Sequence, residues 1–391
     1  METPREQSTT SKITSSTTLI NIPRIQINSS LDEDNLLFTL SNVNVSIANA
    51  LRRCILSDIP IIVFRTFPSD ENKCTIYNNT CGLNNEIVKH RLSCIPIHVK
   101  SLDDFDYKNY YMELNVENLS DTTLYVTTEN FIIKDKTTNK PISQTLNREL
   151  FPADNLTGDF IDFVRLKPKV TNELTPKSIH LKCDFDIGMA SQDSAYNVVS
   201  TCSYGNTIDS AAQEVKLQQM KQKWHDEGKK EDEIDFEVKN WYLLEGKRLF
   251  KPDSFEFIIN SIGIYSNIEI VIKACQLLLE KFTNFDDVIN RDELIIKVAS
   301  NTMQNCYDII LSNQDYTLGK VIEYYLYNDY YNKNILSFCG FKQLHPHDDY
   351  SIIRVAYFDS IELATIKGHL KNCISNALQT FNIIRKEFTK L

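Results

Sequence analysis

The side chains best suited to chemistry in this chain gather in a few places. Cys74, Cys81 and Cys94 lie close in sequence to His90 and His98, which supplies enough sulfur and nitrogen for a zinc site. The spacing opposes that reading: Cys74 and Cys81 are farther apart than the roughly two to four intervening residues usual within a ligand pair, and no C-x-x-C occurs. His345 and His347 flank Pro346 beside Asp348 and Asp349, a second set of metal-ligand types. His90 next to Arg91 could serve acid–base chemistry, but no nucleophile motif accompanies it, and a hydrogen-bonded structural histidine is the simpler reading. Neither a G-x-x-x-x-G-K-[ST] loop nor a G-x-G-x-x-G turn occurs in a chain with only 10 glycines. No carboxylate cluster is of the kind that two-metal nucleotidyl transfer requires. An active site of the chain's own and a cofactor are therefore not expected.

Partners of protein character are. The 42 Lys and Arg residues stand against 52 Asp and Glu, a net charge of −10, and no basic stripe is visible. Phosphate recognition depends on clustered Lys and Arg, so direct nucleic-acid contact is not expected. No stretch approaches the roughly 20 apolar residues that cross a bilayer, and the longest burst, Ile59 to Phe64, is strand-sized and contains Pro60. Residues 1–19 are Ser- and Thr-rich without an apolar signal region and are read as a disordered tail. These features predict a soluble intracellular protein whose 10 cysteines are thiols.

The elements that would position any site follow from periodicity. Ile22, Ile25 and Ile27, then Leu36, Phe38 and Leu40, alternate as strands do. From Asn44 to Asp58 the period changes, and Ile47, Leu51, Cys54 and Ile55 fall on one helical face, with Ser46 as a candidate N-cap. Residues 101–249 carry short strand-like runs (Tyr110–Val116, Thr123–Val126, Phe131–Ile133) and a charged stretch, 213–239, read as solvated helix and loop. Alternation returns at Phe255, Phe257 and Ile259. A helix then carries a seam of Ile268, Ile272, Cys275, Leu279 and Phe282. A last helix repeats the device with Leu363, Ile366, Leu370, Cys373, Ala377, Phe381, Ile384 and Phe388.

These patterns occur twice. Val45–Leu51 aligns with Tyr316–Ile322 at an offset of 271 residues (317 − 46), matching Ser46 with Thr317 as capping hydroxyls and Ala48 with Gly319 as small residues at a close approach. Each copy is preceded by strands and followed by strands and a seam helix. Neither seam can be buried by one helix alone.

The motifs also resemble a known family. Asn44-Val-Ser-Ile-Ala-Asn-Ala-Leu-Arg-Arg53 with Ser57-Asp-Ile-Pro60 is similar to the signature of the RNA polymerase alpha family, which includes bacterial alpha, its larger archaeal counterpart and the third-largest subunit of eukaryotic RNA polymerase II. Glu86 through His90-Arg91-Leu92 to Ile95-Pro96, and Asp253 to Gly263, resemble later segments of the same family. Gly188 to Val198 is a degraded match in which Ser194 departs from the pattern. Gln314-Asp-Tyr-Thr-Leu-Gly319 and Gly340-Phe-Lys-Gln-Leu-His-Pro346 resemble the small alpha-like partner of the archaeal and eukaryotic enzymes, which would make His345 and His347 part of a structural turn. A fused arrangement of this kind is similar to that of large cytoplasmic DNA viruses.

The resemblance implies an α+β fold in which two alpha-like dimerisation units form an intramolecular pseudo-dimer with long packed helices, plus a mainly β inserted domain. The implied division is a tail at 1–19, a first domain, like the larger archaeal partner, at 20–100 and 250–283, an insert at 101–249 and a second domain, like the small partner, at 284–391. Subunit-interface residues carried over are Ser46, Ala48, Asn49, Leu51, Arg52 and Arg53 on the first platform helix, Thr317, Gly319 and Ile322 on the second, and Ile272, Leu279, Leu370, Ala377 and Phe381 on the long helices. Arg52 and Arg53 are expected to project away from the apolar face towards acidic groups of a partner. The implied function is a non-catalytic assembly subunit of a viral DNA-directed RNA polymerase. Its partners would be the second-largest and largest subunits and small zinc-ribbon-type subunits, in the host cytoplasm, with packaging in the virion left open. The alternatives are a stand-alone alpha-like scaffold and a zinc protein using Cys74, Cys81 and Cys94.

Overall fold

A computed structural model describes residues 22–28, 35–102, 105–169, 175–300 and 302–391; the tail expected at 1–19 lies outside the described residues. The chain opens with β1 (Arg24–Asn28) and β2 (Asn35–Ser41), then α1 (Val45–Ser57) and the short β3 (Ile61–Val63). Next come β4 (Cys74–Asn79), α2 (Asn85–Ser93), β5 (Tyr110–Asn118), β6 (Leu124–Thr127) and β7 (Ile132–Asp135). They are followed by α3 (Gln144–Leu150), β8 (Asp162–Leu166), β9 (Lys177–Asp184) and β10 (Asp186–Gly188). β11 (Val199–Ile208), α4 (Ser210–Asp226), α5 (Glu231–Leu243), β12 (Phe250–Ser261) and α6 (Asn267–Asn290) continue the chain. It ends with β13 (Ile295–Val298), β14 (Cys306–Ser312), α7 (Tyr316–Leu326), β15 (Leu336–Lys342), β16 (Tyr350–Tyr357) and α8 (Leu363–Thr389).

The architecture is α+β, built on two antiparallel four-stranded sheets of matching order: β1-β2-β12-β11 and β13-β14-β16-β15. β1, β2 and α1 begin at 24, 35 and 45, and β13, β14 and α7 at 295, 306 and 316, each 271 residues later (295 − 24). The closing helices α6 and α8 begin only 96 residues apart (363 − 267), because the first copy carries an extra stretch between α1 and β12. Each copy is thus a hairpin, a helix, a second pair of strands and a long helix.

Both helices α1 and α7 start two residues earlier than the capping hydroxyls suggest. The N-caps are Asn44, whose side chain accepts from the Ser46 amide, and Asp315, whose side chain accepts from the Thr317 amide. Ser46 and Thr317 are therefore not the caps. The carboxamide and carboxylate reach an orphan amide of the first turn from an extended backbone, which is the usual N-cap geometry. The corrected caps keep the 271-residue register.

Strand pairing places the inserted layer differently from the expected 101–249. β4 pairs with β9, in the sheet β4-β9-β5-β7, and Phe64, Val88, Leu92 and Ile97 share a core with Met112, Phe131, Phe163 and Leu181. Residues on both sides of position 100 thus belong to one core. β11, by contrast, pairs with β12 and returns to the first sheet. The charged 213–239 stretch forms the two helices α4 and α5, closed over Leu217, Trp224, Ile234 and Trp241, so this part of the insertion is helical. α6 runs through residues 284–290, so a domain limit at 283 would cut a helix, and the connection to β13 is only Arg291 to Leu294.

The largest core is shared by both copies. Phe38, Leu51, Cys275 and Phe282 of the first and Ile322, Leu370, Phe381 and Phe388 of the second belong to one contiguous cluster. On α6 the fully buried stripe is Ile270, Val271, Ala274, Cys275, Leu278 and Phe282, with Ile272 and Leu279 only half-buried on its flanks. A helix wedged between its own sheet and another helix needs a broad apolar face, wider than the narrow seam read from steps of three and four. On α8 the seam from Ile366 to Phe388 is buried, while Leu363 at the helix start is exposed.

Gly319 sits where α7 passes under the second sheet. A Cβ there would overlap the Phe341 ring, and the Phe341 amide donates to Glu323 Oε1 at 3.2 Å, which holds that segment in place. Gly319→Ala is expected to force the ring outward and lower unfolding free energy by about 1–3 kcal/mol, read by urea denaturation; an unchanged midpoint would contradict the close approach.

Candidate assembly interface

The functional candidates are the helices through which the two copies meet. α1 packs on α7, and α6 on α8, while α1 and α7 each touch the long helix of their own copy. Ala48 and Leu51 on α1, Gly319 and Ile322 on α7, and Leu370, Ala377 and Phe381 on α8 are all buried. Phe282 of α6 stacks on Phe381 of α8 with centroids 5.8 Å apart, and Phe38 of β2 meets Phe388 edge-on at 5.0 Å. Such offset and T-shaped pairs suit the ring quadrupoles and add to the area buried. The Cys54 thiol donates to the Ala274 carbonyl at 3.4 Å, which closes α1 onto α6. Tyr325 and Thr380 share a buried hydroxyl contact of 2.7 Å between α7 and α8.

The two arginines behave differently from expectation. Arg52 turns back on its own helix, donating from Nε and Nη2 to Asn49 Oδ1 at 3.2 and 3.0 Å. Arg53 reaches the other copy within the same chain: Nε donates to Thr317 Oγ1 at 2.9 Å and Nη2 to Asp315 Oδ2 at 2.5 Å. Arg53 is thus engaged across the two copies, and Arg52 with its own helix. The crossing of α1 over α7 brings the capped start of α7 beneath the later part of α1, so the nearest carboxylate is intramolecular. Sequence reasoning misses Asp315 as a site residue because the hydroxyl two positions later looks like the cap. Ser46 and Asn49 remain half-exposed on α1.

The Asp315 carboxyl answers to opposing influences. Burial pushes it up, but the Thr317 amide and hydroxyl and the Arg53 charge outweigh that and hold it below the ordinary carboxylate value. A second ion pair, also unforeseen, links Lys281 Nζ of α6 to Asp58 Oδ2 at the end of α1, at 2.7 Å.

The residues considered for metal binding are not brought together. Cys74 is buried directly opposite Cys183 in the β4–β9 pair, the Cys81 thiol donates to the Leu83 carbonyl at 3.6 Å, and Cys94 is exposed at the end of α2. His345 accepts from the His347 amide through Nδ1 at 3.1 Å, in the turn before β16. Among the described residues, no group of three or more His, Cys, Asp or Glu side chains is placed to hold a metal ion. No described helix is long and apolar enough to cross a membrane.

Two copies of one sheet-and-helix unit that share a helix-paired core have the layout of a dimerisation fold. Comparison of the sequence with known families agrees: the profile of the RNA polymerase Rpb3/Rpb11 dimerisation domain matches residues 37–282, more than half of the chain. The chain belongs to this family. Among similar proteins, the DNA-directed RNA polymerase subunit Rpo3 of Pyrococcus horikoshii is 26% identical over 278 residues, covering 66% of this chain and 95% of its own length. The subunit rpac1 of DNA-directed RNA polymerases I and III from Dictyostelium discoideum is 25% identical over 296 residues, 66% of this chain and 79% of its own. Human RPAC1 is 37% identical over a shorter stretch of 79 residues, 20% of each chain. The family match ends before β13, so the kinship of the second copy rests on its topology.

The depressed Asp315 carboxyl has a consequence for stability. A carboxyl that binds protons less tightly in the folded chain contributes fully above its unfolded pKa, about 4 for Asp, and loses that contribution as pH falls through the lower folded value. Asp315→Asn keeps a good cap but no charge. The stability gap between wild type and Asp315→Asn is expected to be constant near neutrality and to shrink on acidification below about pH 4. Urea denaturation across that range checks this; a gap that widened in acid would contradict it.

Proposed function

We propose that this chain is the non-catalytic assembly platform of a multisubunit DNA-directed RNA polymerase, with both dimerising partners carried in one polypeptide as an intramolecular pseudo-dimer. The observation that carries this reading is the shared core of α1, α6, α7 and α8, in a chain whose relatives are named as subunits of such polymerases. The site residues serve the platform in two ways. Ala48, Leu51, Gly319, Ile322, Leu370, Ala377 and Phe381 hold the copies together, and Ile272, Leu279, Ser46, Asn49 and Arg52, less buried, stand at the rim. The second-largest and largest subunits are the partners to be mounted, with small zinc-ribbon-type subunits beside them. The fusion supports a setting like that of large cytoplasmic DNA viruses, in the host cytoplasm, with carriage in the virion part of the same proposal.

Joining the copies changes how the platform forms. The four-residue connection Arg291 to Leu294 makes their encounter intramolecular, at effective concentrations on the order of millimolar. The platform therefore forms before any other subunit arrives. Residues 1–290 expressed alone are expected to expose Leu278, Phe282 and their neighbours, and so to bind an apolar dye and self-associate. A monomer that binds no dye would contradict the shared core.

The assembly role is tested by co-expressing the tagged chain with the two largest polymerase subunits. Wild type should recover both. Phe381→Asp places an unpaired charge in the buried contact with Phe282 and should lose them together with the fold of the platform. A wild-type chain that folds well but recovers neither large subunit would favour a free-standing scaffold.

A further inference from the structure

The two copies are alike in backbone but not in charge, and the difference falls where they touch. The 271-residue register matches Asn44 with Asp315, Ser46 with Thr317 and Arg53 with Tyr324. Both caps do the same local work: Asn44 Oδ1 accepts the Ser46 amide at 2.9 Å, and Asp315 Oδ1 accepts the Thr317 amide at 2.8 Å. Only the second cap is a carboxylate, and only α1 carries an arginine at the position that reaches the opposite cap. The Arg53–Asp315 contact has no charged counterpart on the other side, where the corresponding residues are Tyr324 and Asn44.

We infer that the Arg53–Asp315 pair selects unlike over like pairing, so that the first copy is matched to a second copy and not to another first copy. This rests on the pseudo-dimer of the preceding section and adds what sets its partner choice. In a pair of two first copies, each Arg53 would face a neutral Asn44 whose oxygen already accepts an amide. In a pair of two second copies, each Asp315 would face Tyr324, leaving a half-buried carboxylate without its cation. The unlike pair alone satisfies both groups, and apolar burial, which is non-directional, does not by itself make that choice. Specificity then comes from penalising the wrong pairs as well as from favouring the right one. The kind of partner α1 accepts is a helix whose N-cap is acidic and is followed two positions later by a hydroxyl that takes the second guanidinium hydrogen bond.

The test moves the carboxylate without changing composition. The double variant Asn44→Asp/Asp315→Asn keeps a capping residue at both helix starts and the same net charge, but now offers an acid to Arg53 only from another first copy. Full-length chains are refolded from urea at rising concentrations up to about 1 mM, where the tether no longer dominates, and their mass is read by size-exclusion chromatography with light scattering. Wild type should remain monomeric. The double variant should show a dimer fraction at least about tenfold higher, and adding Arg53→Met should bring that fraction back down, because the cation that recognises the moved acid is gone. A double variant as monomeric as wild type at the highest concentration would overturn the inference, as would dimers that persist unchanged with Arg53→Met. Recovery of the large polymerase subunits by wild type is scored separately, so failure of the platform role and failure of the pairing rule are read from different measurements.

Discussion

Everything in this molecule depends on the fact that neither long helix can be covered by its own half. A four-stranded sheet offers one face to a helical layer, and α1 with α6, or α7 with α8, fills that face while leaving a second apolar surface outward. The other copy's helices cover that surface: Phe282 and Phe381 stack across the junction and Phe38 reaches Phe388. Fully burying a side chain of this size contributes about 1.5–3 kcal/mol. Domains are typically only about 5–15 kcal/mol stable. A few such contacts are therefore a large share of the stability that each half can draw on.

On that apolar base, polar groups decide orientation. The Arg53, Thr317 and Asp315 chain of hydrogen bonds spans the junction at a helix start, where the backbone itself is an anion-favouring end and the carboxylate is already required as a cap. One residue thus serves its own helix and the pairing at once. The inserted layer, centred on the β4-β9-β5-β7 sheet, has its own core apart from this junction. The α4–α5 hairpin behaves likewise, leaving Phe236, Leu243 and Leu244 exposed beyond its small tryptophan core.

Much of the fold could be read from residue order. The strands at 24–28 and 35–41, the helix after Asn44 and the closing helix from Leu363 follow from alternation and from steps of three and four, because those periods report directly which side chains share a face. The duplication is visible in the sequence as a 271-residue offset. Its closing offset of 96 is not, since the intervening insertion breaks any single register. Gly319 is recognisable as a point of close approach, although that Phe341 fills the space is not.

What the sequence by itself determined was local: the periods, the small residues at contacts, and the absence of clustered catalytic or metal-binding motifs. What only tertiary structure decided was which groups meet from afar. Arg53 and Asp315 are 262 residues apart, and no local pattern says that one will find the other. The same holds for β4 joining β9 across position 100 and for the breadth of the α6 face. Periodicity records the direction in which a side chain leaves its own backbone; the identity of what it meets is set by how whole elements cross, and that is a property of the packed chain.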